Sequence, residues 1–457
     1  MSELNASRLI AKFASQLDQR HLTDDLSHQV GRAIIDTVGV GVAGRHEPAS
    51  LIGMKYARSL PSQEVARAWG ERHRLSLHAC VLYNGIAAHV LDFDDVNSPL
   101  RGHPSIALLP PLLALGEAND LTVSRVAAAY VVGFEVMVRI ARAMVQDHYA
   151  KGWHATTTLG TIGAAIACSN LLGLTEDQTV NCIGLAVAQA AGTRGNFGTM
   201  AKSFQTGQCG VAGMTAALLA QFGMTASDEA LDGEQGFTRL YGEYERLDEC
   251  LAGLESSPHE LLNSGIEIKK YPMCYAAHRS LDGILSLVRE HRFEAQQVRA
   301  IHVTSNYRAL VPLIHSRPTT GLEAKFSMEY AMAAAVVDRR MSLASFTDEA
   351  VMRPEIQSFL SKVTKAECAG PQTPRWNELT VELVNGQSIR KKITTLHGSM
   401  QHPLSDQELK IKWDDCMSFG GFADQGDAFF ETALTHSDRT VRELMVLLPC
   451  ESIQQAV

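Results

Sequence analysis

From the N-terminus to about residue 265 the apolar positions recur at helical spacing. Val30, Ile34, Ile35 and Val38 mark one face of a first clear helix, opened by Thr23-Asp24 and closed by Gly39, Gly41 and Gly44. Alanine-rich segments follow at 79–91, 105–118, 124–146, 157–173, 177–191 and 207–222. Runs such as Ala127-Ala128-Ala129 are small and apolar on several faces. That predicts helices packed closely inside a large bundle rather than amphipathic surface helices.

The period changes after Gly265. Residues 298–305 alternate as a strand does, around Ile301 and Val303, and a helix is expected at 323–338. Leu379 to Val384 and Ser388 to Thr394 flank Asn385-Gly386, a strong hairpin signal. Beyond Pro403, Ser405 and Glu408 form a capping box and helical character returns. The expected fold is mainly α with an inserted α+β domain. A large helical domain takes 1–265 and 396–457, and a smaller α+β lid domain takes 266–395.

Composition narrows the class. The 457 residues are 46% apolar and 20% charged, which fits a globular protein of two or three domains and excludes general disorder. The net charge is −9 and no Lys/Arg block occurs, so neither nucleic acid nor an anionic membrane is an expected partner. Nine cysteines without a Cys-x-x-Cys pair suggest free thiols in a reducing compartment. The start, Met1-Ser2-Glu3-Leu4-Asn5, shows no export signal. The most apolar stretch, Val126 to Val145, is interrupted by Glu135, Arg139 and Arg142, so no spanning helix is expected. Together these point to the cytoplasm.

Four places put a titratable or cationic side chain near a helix start. Asp92, Asp94 and Asp95 precede Arg101-Gly102-His103-Pro104, with Ser105 as cap. Gly152-Trp153-His154 runs into Thr156 to Thr158. Gly198 to Lys202 leads to Thr206-Gly207 and the helix beyond. Lys269-Lys270-Tyr271-Pro272 leads to His278-Arg279, with Ser280 as cap. Helix starts favour anions, and Lys, Arg or His beside them strengthens a carboxylate or phosphate site. Each feature alone has a plain reading as a cap, a hydrogen-bonded loop histidine or a solvated lysine. His89 and Asp92, three apart on one helix face, could instead join Asp94, Asp95 and His103 in a hydrolase-like metal centre, although no His-x-x-x-His or Cys-rich spacing supports one. Nucleophile-elbow and phosphate-loop patterns are absent from the sequence.

These residues resemble the MmgE/PrpD family along nearly the whole chain. The resemblance is carried by His89 to Asp95, Gly102 to Ser105, Gly152 to His154, Asn196 to Lys202, Tyr271-Pro272 with His278, and Lys325-Phe326-Ser327 with Tyr330. It implies a helical domain built from both ends, an inserted lid, a homodimer, and an active site in the cleft between domains without metal or organic cofactor. By motif, Asp92, His103, His154, Lys202 and His278 would form the catalytic pocket, with Arg101, Lys269, Tyr271 and Tyr330 binding substrate. Gln205 stands where many members carry His, and Val96 where Thr is common. The form of the Asn196–Lys202 segment resembles the epimerase and decarboxylase branch.

The chemistry so implied moves a proton next to a carboxylate of a small di- or tricarboxylic acid. The expectation leans slightly to an iminodisuccinate-type epimerase. A dehydratase or decarboxylase of a 2-methylcitrate- or cis-aconitate-like substrate is the alternative. His103, oriented by Asp92, is the expected proton-transfer group, and Lys202, His154 and His278 stabilise charge. A metal-dependent hydrolase on His89, Asp92 and His103, or a non-catalytic helical scaffold, are competing readings.

Overall fold

The computed structural model describes residues 5–61, 63–242, 247–254, 259–435 and 439–451, without the side chains of 145–147. Met1 to Leu4, read above for an export signal, lie outside these ranges. The protein is mainly helical and divides into two compact units. The first comprises Met1–Val90, Asp94–Glu267 and Leu409–Val457; the second comprises Leu91–Phe93 and Ile268–Glu408.

In the first unit, Thr23 opens the helix Asp24–Ala43 by accepting from the Leu26 N–H. Gly39 and Gly41 do not end that helix, as the sequence suggested; they lie inside it, and Gly44 is its C-cap. Their purpose is space. A Cβ on Gly39 would stand 3.0 Å from the Trp413 ring, and one on Gly41 2.6 Å from the Trp69 ring. Small residues work the same way elsewhere. A Cβ on Gly85 would meet the Gly207 Cα at 2.5 Å, so the helices Leu77–His89 and Ala201–Gln221 approach backbone to backbone. The helix Ala155–Leu171 is buried at every residue but Asn170, as its small, apolar faces predict. The buried pair Lys412–Asp36, 2.6 Å apart, ties the helix Asp406–Phe419 to Asp24–Ala43.

The second unit holds a four-stranded sheet in the order Val363–Glu367, Val298–Ser305, Asn377–Leu383, Ser388–Ile393. The first pair is parallel and the others antiparallel. Gly386, at φ +89°, makes the expected hairpin turn. Edge strand Val363–Glu367 escaped the sequence reading because its residues, Val-Thr-Lys-Ala-Glu, are mostly polar and solvent-facing. The helix expected at 323–338 is two pieces, Gly321–Ala324 and Met328–Asp338. Ser327 divides them by accepting from the Tyr330 N–H at 3.1 Å, an N-cap that restarts the helix. Leu281, Ile284, Leu287 and Val288 of the helix His278–His291 pack with Ile301, Val303, Leu379 and Val381 in this unit's core.

Among the described residues no helix is long and apolar enough to cross a membrane, and all nine cysteines are free.

Candidate active site

The helix starts lie one to a few residues earlier than the sequence suggested, and this moves the functional side chains onto the ends themselves. His103 and His154 are the N-cap residues of Pro104–Ala118 and Ala155–Leu171. Ser105 and Thr156 to Thr158, expected as caps, lie inside the first turns. Pro104 accounts for the first shift, since proline at N1 has no N–H to leave unsatisfied and its φ is preset for a helix. Lys202 and His278 sit within the first turns of Ala201–Gln221 and His278–His291, so Ser280 is not a cap.

Local geometry draws the first unit's groups together. A Cβ on Gly102 would collide with Thr156 at 2.8 Å, so glycine lets the His103 N–H donate to Thr156 Oγ1 at 3.1 Å. That straps His103 to the helix headed by His154. The His154 N–H donates to Gly192 O (3.1 Å), and the Arg194 N–H to Gly152 O (2.8 Å). Gln205, the departure from the family pattern, clamps the same strap, accepting from the Thr193 N–H at 2.7 Å and donating back to Thr193 O at 3.3 Å. The Gly85–Gly207 crossing brings His89, last residue of its helix, to Lys202, second residue of the other.

Asp94 is the hub. Its Oδ2 lies 2.8 Å from His89 Nδ1 and 3.2 Å from His103 Nδ1. His89 Nε2 in turn lies 2.9 Å from Lys202 Nζ. The His89 and His103 rings meet edge to face at 4.8 Å, and His89 and His154 are 6.3 Å apart. Phe197 lies edge-on to His154 at 4.9 Å and under Lys202 Nζ at 5.6 Å. Arg194 stacks on Tyr149 at 4.0 Å, and Arg101 approaches the same ring at 5.7 Å. His89 and Asp94 are fully buried, whereas His103 keeps 12% of its side chain exposed.

Burial shapes the charges. It disfavours the imidazolium at His89, Asp94 pulls the other way, and Lys202 pushes further down, leaving the group at about 4. Burial, then Lys202, hold His154 well below the ordinary histidine value. Burial opposes ionisation of Asp94, but His103 and His89 outweigh it and keep the carboxylate well below its usual range. The result is a carboxylate at the hub with two neutral imidazoles, His89 and His154. His154 Nδ1 is buried without a hydrogen-bond partner among the described residues, an unusual state for a buried polar atom.

Asp95 behaves differently from its neighbour. It accepts from Ser105 Oγ, which also pairs with Tyr130 OH at 2.7 Å. Burial and the nearby Asp36 carboxylate push its pKa well up.

The remaining sequence candidates belong to the second unit. Lys269, 1% exposed, donates to the Asp92 carbonyl at 2.6 Å and to its carboxylate at 3.0 Å. Asp92 takes the left-handed φ of +52°. Tyr271 OH donates to Asp282 at 2.8 Å, and His278, between the Tyr271 and Tyr275 rings, donates from Nε2 to Met273 O at 3.1 Å. Tyr330 is fully buried and donates to Ser345 O. Lys325 donates to Leu91 O at 2.6 Å.

Of the residues suggested for a metal, His89 and His103 offer, with Asp94, ligand atoms within 4.8 Å of one another. The donor types suit a divalent cation. Lys202 Nζ, 2.9 Å from His89 Nε2, places a positive group against that set.

Sequence comparison places the chain among known proteins. A model of the MmgE/PrpD N-terminal domain matches residues 8–249, and one of the MmgE/PrpD C-terminal domain matches 271–434. Cis-aconitate decarboxylase of Homo sapiens is 30% identical over 410 residues, covering 86% of this chain and 84% of the relative. The Mus musculus enzyme is 29% identical, covering 87% and 83%. The Aspergillus terreus enzyme is 27% identical, covering 88% and 87%. These relatives support the lyase alternative and lend nothing to the epimerase lean.

Proposed function

The chain belongs to the MmgE/PrpD family, and from that premise we propose that it is a lyase removing carbon dioxide from a small tricarboxylate of the cis-aconitate type. The observation that carries the reading is the close group of His89, His103, His154 and Lys202, set on helix ends, with Asp94 bonded to His89 and beside His103.

The chemistry asks for little else. When a carboxylate leaves an unsaturated tricarboxylate as carbon dioxide, the C–C electron pair forms a new double bond. The original double bond shifts, and negative charge develops on a carbon next to a remaining carboxylate. One proton on that carbon completes the reaction. Lys202 and the helix-start N–H groups supply the fixed positive field that such charge requires. His154 Nδ1, buried and without a hydrogen-bond partner among the described residues, is the atom open to a substrate oxygen. His103, the partly exposed imidazole of the group and held by Asp94, delivers the proton. These steps use the chain's own side chains and backbone N–H groups, and no organic cofactor is invoked.

The epimerase reading needs a proton donor and an acceptor on opposite faces of the carbon. It shares His103 and is distinguished by product. Cis-aconitate and iminodisuccinate, each followed by NMR, decide between them: loss of carbon dioxide from the first supports the lyase, and inversion of the second with an inert first overturns it. A metal hydrolase on His89, Asp94 and His103 is tested by elemental analysis and by activity after chelation.

We further propose a homodimer. It is supported by the exposed apolar residues Leu51, Ile52 and Tyr56 on the helix Pro48–Ser59, each more than half exposed. Sedimentation at micromolar concentration tests it.

A further inference from the structure

We propose that His89 is a positioning residue: a neutral imidazole, anchored by Asp94, that accepts a hydrogen bond from Lys202 and so sets where the ammonium stands. Its catalytic consequence rests on the function proposed above; its geometry does not.

The argument is one of donors and acceptors. The His89 side chain is wholly enclosed, so it does not meet solvent. Asp94 Oδ2, 2.8 Å from Nδ1, can only accept, which places the ring hydrogen on Nδ1. Lys202 Nζ, 2.9 Å from Nε2, can only donate. Nε2 must therefore present its lone pair, and the ring has one tautomer and no charge. The titratable groups facing it are Asp94, Lys202, His103 and His154. Burial, which disfavours a second ring proton, works in the same direction.

The arrangement solves a problem particular to lysine. Its ammonium is a point charge on a flexible stem. A carboxylate in direct contact would cancel the charge that a substrate anion needs. A neutral acceptor fixes the position without adding a negative charge of its own. The same Asp94 oxygen reaches His103, so one carboxylate sets two groups: His103 directly and Lys202 through His89.

The first test needs no substrate. In protein labelled with ¹⁵N-histidine, the His89 signals are identified by their loss in His89→Gln. The expected result is the neutral Nδ1–H form from pH 8 to 5.5. An imidazolium at neutral pH, or the Nε2–H form, would overturn the proposal. The second test is a cycle of His89→Leu, Lys202→Met and the double variant, with KM and kcat measured on cis-aconitate. His89→Leu is expected to raise KM about tenfold, and the double variant to be no worse than Lys202→Met, because groups acting through one another are not additive. His89→Gln, which retains a donor and an acceptor, is expected to lose much less. A folded His89→Leu protein with unchanged KM contradicts the role, as does a double variant equal to the product of the singles. If His89→Leu does not fold, a His89→Gln protein as impaired as Lys202→Met contradicts it. If the unaltered protein turns over no polycarboxylate, the proposed function fails, and the tautomer alone judges His89.

Discussion

Asp94 Oδ2 stands 3.2 Å from His103 Nδ1, and the same oxygen receives His89. An imidazole at a helix N-cap is thereby given a fixed orientation and a nearby negative charge. His103→Ala should fold and lose about 10²–10⁴-fold in kcat, the usual worth of a general acid or base. Asp94→Asn should lower kcat too. It removes the buried charge that both imidazoles address, and a melt should show lost stability as well, since a buried network missing one charge leaves its partners unsatisfied. Steady-state rates and thermal melts check both variants.

Lys202 offers the only ammonium whose contacts place it within this group of histidines among the described residues. Lys202→Ala should raise KM for a polycarboxylate by about 10- to 100-fold, the range expected from losing a charged hydrogen bond. An unchanged KM in a folded variant would remove Lys202 from substrate binding.

Stability should depend on pH through His89 and His154. Both have folded-state values lowered below the unfolded value of about 6.5. The unfolded chain then binds more protons than the folded one as pH falls below 6.5, so stability rises with pH across that window. For His89 the loss continues down to about 4. Each such group contributes a slope of up to about 1.4 kcal/mol per pH unit. Melting points measured from pH 7.5 to 5 should fall, and His89→Gln should flatten the curve.

Two adjacent aspartates should respond to very different degrees. Burial and the nearby Asp36 push the pKa of Asp95 well up and so favour its uncharged acid form. Asparagine imitates that state, so Asp95→Asn should cost about 1 kcal/mol or less and retain activity. Thermal melts of the two variants side by side distinguish them.

Much of this was legible in the sequence. The shift from helical spacing to alternation near Gly265, and the Asn385-Gly386 turn, gave the helices and the hairpin. Local pattern could not distinguish a glycine that ends a helix from one that admits a tryptophan, as at Gly41, because the tryptophan comes from elsewhere in the chain. His103, His154 and Lys202 were visible as cations near helix starts. His89 was visible as a metal candidate and as the start of a family stretch, and Asp94 as one of three aspartates, neither with a positioning role. Their roles come from hydrogen-bond partners up to 113 residues away, which no spacing rule encodes.

The most direct measurement is an NMR time course of ¹³C-labelled cis-aconitate in heavy water with the unaltered protein and with His103→Ala. The account predicts release of labelled carbon dioxide and one deuterium on the carbon next to a remaining carboxylate, slowed at least about a hundredfold in the variant. An unaltered protein that leaves cis-aconitate intact, or a His103→Ala protein that converts it at the full rate, would contradict it.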